Sequence, residues 1–316
     1  MAMKLNEFLT ALSKLRVDRS KGAPAPHKAI LLLSIIESID RGEVADNRIF
    51  ITAELVARFK DIWSNLVNTS LFSPNFSLPF FHLKSDRFWH LKTIPGREIL
   101  VTSSHSIRSF QALKYAVNYA SFSEEVYQLL LDAKTRSIIR AHLLQAYFRI
   151  HETTISTAPS LFDILSERLL AEPPSEYKKE IATATEEDIF VRSGVFKKLV
   201  PRVYNYTCCI SGMRIDTTRE IQMIDACHIV PFSESHDDTI SNGISLSPSL
   251  HRAFDRFLVT INDNYRVVVS DKFIEQGDHS LKKFHDQEIL LPSNLRYRPS
   301  PENLQWHYQT FLTINR

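Results

Sequence analysis

Cysteine is scarce in this chain: three residues, Cys208, Cys209 and Cys227, with no CxxC pair. That excludes a disulfide framework and a four-cysteine zinc site, so any metal would be held by histidine and carboxylate side chains. Glycine is rarer than proline, seven against fourteen, which suits a helix-rich chain with stiffened loops. Long apolar runs are also missing. The densest, residues 29–36, falls well short of the roughly 18–20 residues a membrane helix needs, so neither a spanning segment nor a membrane partner is expected. The N-terminal MAMKLNEFLTALSKL scatters charges among its apolar residues and has no small-residue cleavage site. It is unlike a secretory signal, and a cytoplasmic location is expected.

What is present is ordinary globular material. With 316 residues, 44% of them hydrophobic, the chain has enough apolar side chains for two cores. The net charge of +2 divides unevenly, +6 over residues 1–158 and −4 over residues 159–316. The N-terminal half is thus the more hospitable to a polyanion, although random scatter gives an imbalance of this size equally well.

Local signals organise the chain. Residues 4–15 read as an amphipathic helix. Pro26 suits the first turn of a second helix that runs to about Asp40 and stops near Gly42. RIFIT reads as a short strand, and Thr52 is placed to cap a helix through about Val67. FFHLKSDRFWHLK reads as a hairpin around Ser85 and Asp86, and residues 106–148 as two or three helices. A polar stretch with Pro173-Pro174 marks a linker. Beyond it, a helix ending before Pro201 and a strand in EIQMIDACHIV are expected. PSLHRAFDRFLV then reads as a helix, and VTINDNYRVVVS as a hairpin about residues 262–264. The tail from Pro292 has no assigned element. The expected architecture is α+β: residues 1–155 a first domain of mixed helices and strands, 156–185 a linker, 186–316 a second domain.

The chemistry-bearing residues concentrate in that second domain. Asp225, Cys227 and His228 fall on the expected strand, Asn242 in a loop, and His251 and Asp255 on the expected helix. Spacing of four on a helix puts His251 and Asp255 on one face, where an imidazole and a carboxylate can grip one divalent ion. Such a pair alone is common on solvated surfaces; here it follows a strand histidine and an Asn-Gly loop.

The segments YNYTCCISG (204–212), DACHIVPFSES (225–235), SNGISLSP (241–248) and HRAFDRFLVTI (251–261) resemble the HNH nucleases of the ββα-metal family, closely a subgroup found in restriction endonucleases. The resemblance places its three signature positions at His228, Asn242 and His251. Phosphodiester hydrolysis needs an activated water, stabilisation of charge on the phosphate and help for the departing 3′ oxygen. A neutral imidazole supplies the first and a divalent ion, Mg²⁺ or Mn²⁺, the other two. His228 is therefore the expected general base, and His251 with Asp255 the expected metal ligands. By analogy with the family, Asn242 holds the loop and orients His228. Many family members place a ligand immediately before the base, where this chain has Cys227. Hard ions prefer oxygen to sulfur, so Asp225 is the expected third ligand and Cys227 a small buried side chain.

In the first half, residues 12–43, LPFFHL (78–83) and DRFWHLK (86–92) resemble the sulfur-binding domain of phosphorothioation-dependent, type IV, McrA-like restriction endonucleases. A phosphorothioate replaces one non-bridging oxygen by sulfur, which is larger and accepts hydrogen bonds poorly. An apolar cavity flanked by cations would accept the sulfur and penalise an oxygen stripped of water by about 1–3 kcal/mol. The resemblance implies His27 and Lys28 as the basic pair at a helix start, with Leu78, Pro79 and Phe80 as the wall; Arg97 and Arg108 are candidates for a further backbone contact. The expected function is restriction of modified double-stranded DNA: residues 1–155 bind phosphorothioated DNA and the HNH domain cuts nearby, and a homodimer would suit double-strand cleavage. Two alternatives stand beside it. One is an HNH endonuclease directed at methylated cytosine through an aromatic cage drawn from Phe80, Phe81, Phe88 and Trp89; the other is a nuclease-inactive DNA-binding protein.

Overall fold

A computed structural model describes residues 4–102, 107, 109–150, 159–171, 175–176, 184–216, 223–277 and 280–316. The chain divides into two compact units, Met1–Asp163 with Glu186–Val191, and Ile164–Thr185 with Arg192–Arg316. The fold class is the expected α+β.

The first unit is built around one buried helix. After α1 (Leu5–Ser13), α2 (His27–Asp40) carries the run AILLLSII and buries nearly every side of itself. A helix apolar all round must be surrounded. Three helices surround it: α3 (Ala53–Leu66), α4 (Ser77–His82) and, further along, a long helix from Ala133 to Phe148. Gly42 follows α2 with φ +74°, a conformation that favours glycine, and Thr52 accepts a hydrogen bond from Leu55 N at the start of α3.

A three-stranded antiparallel sheet flanks the helices. Its central strand β3 (Val117–Phe122) lies between β1 (Ile49–Phe50) and β2 (Trp89–Thr93), pairing Ile49 with Ala120 and Trp89 with Phe122. Two expectations are corrected here. No hairpin turns at Ser85: residues 77–85 are helical, which brings Phe76 and Phe80, one helical turn apart, into contact through tilted rings inside the core, and only residues 89–93 form a strand. The central strand lies inside residues 106–148, which had been read as helices throughout. It leaves α5 (Phe110–Ala116) with no intervening turn residue to announce it. The unit continues with α6 (Glu124–Leu131) and α7 (Ala133–Phe148).

Helix α8 (Leu161–Ala171) lies within the segment read as a linker. The next helix, α9 (Glu186–Val203), contributes its first six residues to the first unit and the rest to the second. Near its start, the buried Glu187 carboxylate accepts a hydrogen bond from Phe76 N, 2.9 Å, and so caps α4, whose N-cap residue has no capping side chain. Burial pushes the Glu187 carboxyl above its usual range. The helix runs through Pro201 instead of ending before it. Proline in the last turn forfeits a single helical hydrogen bond, and positive φ at Asn205 and Tyr206 follows the helix end.

The second unit holds two antiparallel strands, β4 (Asp225–His228) and β5 (Gly243–Leu246), paired Asp225 to Leu246 and His228 to Gly243. Helix α10 (Pro248–Asp255) packs on both, with Pro248 in its first turn. A hairpin follows, β6 (Val259–Ile261) and β7 (Val267–Val269), turning through Asn262, whose side chain accepts from Asn264 N and Arg266 N. The unassigned tail closes with α11 (Pro301–Ile314), capped by Ser300 and packed on β6. Cys208, Cys209 and Cys227 are fully buried in this core. Gly243 has a packing reason: a Cβ there would lie 2.6 Å from Val200 and 2.9 Å from Phe196, so only glycine lets α9 approach β5 this closely. No helix among the described residues is long and apolar enough to cross a membrane.

Candidate functional site

Strand β4 and helix α10 bring the HNH residues of the second unit to one crevice of about 270 Å³, whose lining includes His228, His251, Asp255 and His307. What each imidazole can do follows from which ring nitrogen is already engaged. A carboxylate or carbonyl oxygen only accepts, so the nitrogen facing it carries the proton and the other nitrogen carries the lone pair.

His228 stands at the end of β4 with its ring 4.0 Å from and nearly parallel to the buried Phe196 ring. Its Nε2 is 2.8 Å from the carboxylate of Asp238. Its Nδ1 makes no hydrogen bond to a described residue and carries the lone pair. His251 Nδ1 lies 3.1 Å from the Asp225 carboxylate, which leaves the Nε2 lone pair on the side of Asp255, 3.4 Å away. His307 has neither nitrogen to spare. Nε2 donates to Phe254 O, Nδ1 accepts from the Thr260 hydroxyl at 2.7 Å, and the ring is stacked 3.7 Å from Phe254. Burial holds its pKa down at about 4, so it is a neutral pin between α11 and the nuclease core.

Asn242, expected among the catalytic residues, is fully buried and absent from the crevice wall. Its amide accepts from Val230 N and donates to Val230 O and Asp237 O, each at 2.9 Å, closing the loop that follows His228. Asp225, expected as a third ligand, has its carboxylate 3.1 Å from His251 Nδ1. The residues that bring ligand-capable atoms within 4.8 Å of one another are Cys227, His251 and Asp255. Burial, with Asp255 adding to it, pushes the Cys227 thiol well above its usual range, and sulfur is a soft ligand that hard divalent ions pass over for oxygen. An imidazole nitrogen and a largely exposed carboxylate remain, and they fit a hard divalent ion that keeps water and takes phosphate oxygens as further ligands.

The candidate DNA-reading residues of the first unit meet at a cavity of about 490 Å³. His27, Lys28, Leu78 and Pro79 all line it, joined by apolar side chains of Val17, Ala25 and Phe72. His27 Nε2 donates to Ser73 O at 3.0 Å and the ring packs 4.6 Å from Trp63; burial lowers its pKa, so it is a neutral wall. The Lys28 ammonium is compensated, 2.5 Å from the Asp86 carboxylate and 3.1 Å from Ser85 Oγ. Burial lowers its pKa and Asp86 opposes the shift.

Phe80 and Arg97 are not among the lining residues of this cavity. Phe80 is turned into the core, with its carbonyl accepting from Trp89 Nε1 and its ring against Phe76 and Trp89. Arg97 does not reach the cavity; its guanidinium lies 3.5 Å over the Tyr115 ring and donates to the Tyr115 carbonyl. Arg108 lies outside the described residues. Phe81, Phe88 and Trp89 are buried core residues, so no aromatic cage forms from them.

Sequence reasoning missed Arg16, Lys21 and His82 in this wall, although Arg16 and Lys21 lie in the basic stretch before α2. Arg16 makes no ion pair with a described residue, while Lys21 donates to Leu71 O and sits over the Phe72 ring. Asp238 and Phe196 were missed at the nuclease crevice, and no spacing rule pointed to either.

Comparison with known proteins finds a family match in each half of the chain. Residues 208–262 match the HNH endonuclease family, and residues 5–155 match the ScoMcrA-like DNA sulfur-binding domain. No curated protein matches the chain. Among solved structures, a modification-dependent TagI restriction endonuclease is 22% identical over 38% of this chain and 38% of its own, with a TM-score of 0.29. The type IV phosphorothioation-dependent restriction endonuclease ScoMcrA is 12% identical over 78% of this chain and 94% of its own, with a TM-score of 0.35. The chain spans less than half the length of the first of these. The chain thus joins a segment similar to the ScoMcrA-like DNA sulfur-binding domain, residues 5–155, to one similar to the HNH endonucleases, residues 208–262.

Proposed function

We propose that this protein binds phosphorothioated double-stranded DNA through the cavity of its first unit and hydrolyses nearby phosphodiester bonds in the crevice of its second, inside the cell, as a modification-dependent restriction endonuclease. The observation that carries the reading is the allocation of imidazole nitrogens: His228 Nδ1 and His251 Nε2 are both left with lone pairs, on two residues that line one crevice with Asp255.

In this reading His228 Nδ1 takes a proton from water as the water oxygen attacks phosphorus, and the 3′ oxygen leaves with the bonding pair. His251 and Asp255 hold the divalent ion, Mg²⁺ or Mn²⁺, and Asp225 keeps the His251 ring turned toward it. When bound, the ion supplies positive charge for the phosphoryl oxygen and the departing alkoxide. Asn242 acts at a distance from the chemistry by closing the loop behind His228. In the first unit, the apolar faces of Leu78, Pro79, Val17 and Ala25 receive the sulfur, and Arg16 and Lys21 supply the charge for the phosphate. A phosphate oxygen in the same place loses its water without gaining a donor. A homodimer would allow both strands to be cut.

The test is cleavage of matched duplexes with and without one site-specific phosphorothioate, in Mg²⁺ or Mn²⁺. A preference of about 10- to 100-fold is expected from an unpaired oxygen costing 1–3 kcal/mol. Equal cutting of both duplexes rejects the targeting claim, and equal preference for a methylated-cytosine duplex would favour a base reader.

A further inference from the structure

Resting on the reading of His228 as the base, we propose that Asp238 is its positioning residue, the two forming a carboxylate–imidazole dyad that selects the tautomer able to accept a proton from water.

Three observations carry it. Asp238 Oδ1 lies 2.8 Å from His228 Nε2. A carboxylate at that distance accepts, which pins the ring proton on Nε2 and keeps the lone pair on Nδ1. Asp238 is almost fully buried, 1% exposed, and its other oxygen, Oδ2, is also buried and makes no hydrogen bond within the protein among the described residues. A buried carboxylate that serves only the fold is normally paired through both oxygens, because an unpaired one is destabilising. Here one oxygen serves a single imidazole.

The third observation is that the surroundings hold both partners in register. Asn242 ties the chain at Val230 and again at Asp237, and the Asp237 side chain accepts from Thr239 N at 2.9 Å, so the turn carrying Asp238 is fastened on both sides. From the opposite side the Phe196 ring, only 7° from parallel, allows the imidazole to slide in its plane and not to tip out of it. The signature asparagine thereby positions two residues: the loop behind His228 and the carboxylate in front of its Nε2.

The experiment uses the full-length protein with ¹⁵N-labelled histidine, together with single-turnover cleavage of a phosphorothioated duplex by wild type, D238N and H228A. The ¹⁵N signals of His228, assigned by their loss in H228A, should show a protonated Nε2 and an unprotonated Nδ1. Asparagine keeps the shape of aspartate but offers an NH₂ group, which favours the opposite tautomer. D238N should therefore lower kcat about 10²-fold or more while KM and DNA binding stay near wild type. Wild-type kcat in D238N, or a protonated Nδ1 in the wild-type protein, overturns the dyad. If D238N proves unstable, the wild-type ¹⁵N measurement decides alone. The two readings fail separately: H228A that still cuts rejects the base, whereas dead H228A beside fully active D238N rejects only Asp238.

Discussion

The cavity of the first unit and the crevice of the second, the two sites proposed to meet DNA, both hold histidines, yet those histidines keep different partners. His27 donates to a carbonyl, packs on Trp63 and is held neutral by burial. His228 and His251, which both line the crevice, donate to carboxylates, and each keeps a lone pair on its other ring nitrogen. Either partner fixes the ring proton, but a carboxylate also makes the nitrogen left free more basic, which suits it to take a proton or a cation, whereas burial against Trp63 leaves His27 a neutral wall. Residue type is shared between the two sites, and the surroundings of each ring separate the roles proposed for them.

The largest test of that contrast is His228→Ala. Loss of a general base should slow single-turnover cleavage by about 10²- to 10⁴-fold while gel-shift binding of a phosphorothioated duplex stays unchanged. Cleavage at the wild-type rate would break the contrast outright. Next, Asp225→Asn should raise the Mg²⁺ or Mn²⁺ concentration for half-maximal cleavage by about 10- to 100-fold, as expected when the residue orienting a ligand histidine is lost. Asp255→Ala should raise it at least as much, and Cys227→Ser should leave it near wild type. A matching rise in Cys227→Ser would make the sulfur a ligand.

The contrast sharpens at Lys28, whose charge is already matched by Asp86. Lys28→Met alone strands a buried carboxylate and should destabilise the protein by about 3–5 kcal/mol in urea titration. The double variant Lys28→Met, Asp86→Leu should recover most of that. Full stability in the single variant would instead leave Lys28 free to serve DNA. The effect confined to low pH belongs to His307, held neutral with a pKa of about 4 against an ordinary 6.5. Its folded pKa is depressed, so its contribution is fully present above pH 6.5 and is lost as pH falls toward 4. The loss should total about 3 kcal/mol, because the unfolded chain takes up the proton first. Urea midpoints against pH should therefore be flatter for His307→Gln than for wild type.

Much of the local order was legible. The start of α2 after Pro26, the Thr52 cap and Pro248 in the first turn of α10 are signals within one helical turn, and each element lies where its signal placed it. The HNH residues were legible for the same reason, since their spacing lies on one strand, one loop and one helix. The failures share another cause. Aromatics around Phe80 alternate well enough for a strand, but ring contacts from Phe76 and Trp89 make the segment helical. The strand Val117–Phe122 takes its identity from partners at Ile49 and Trp89, both far away along the chain. Helix α11 had a readable start, Ser300 then Pro301, that the irregular stretch before it obscured.

Sequence alone determined which chemical groups the protein owns and in what order: two imidazoles and a carboxylate at nuclease spacing, and a basic helix start ahead of an apolar Leu-Pro pair. Tertiary structure decided which of those groups are available. It matched Lys28 to Asp86, 58 residues away, turned Phe80 inward, gave Asp225 to His251, and set Asp238 against His228. The reason is range. Caps and periodicity act within about one helical turn, whereas the partner of a buried charge or of a ring nitrogen comes from whichever distant segment the core brings beside it.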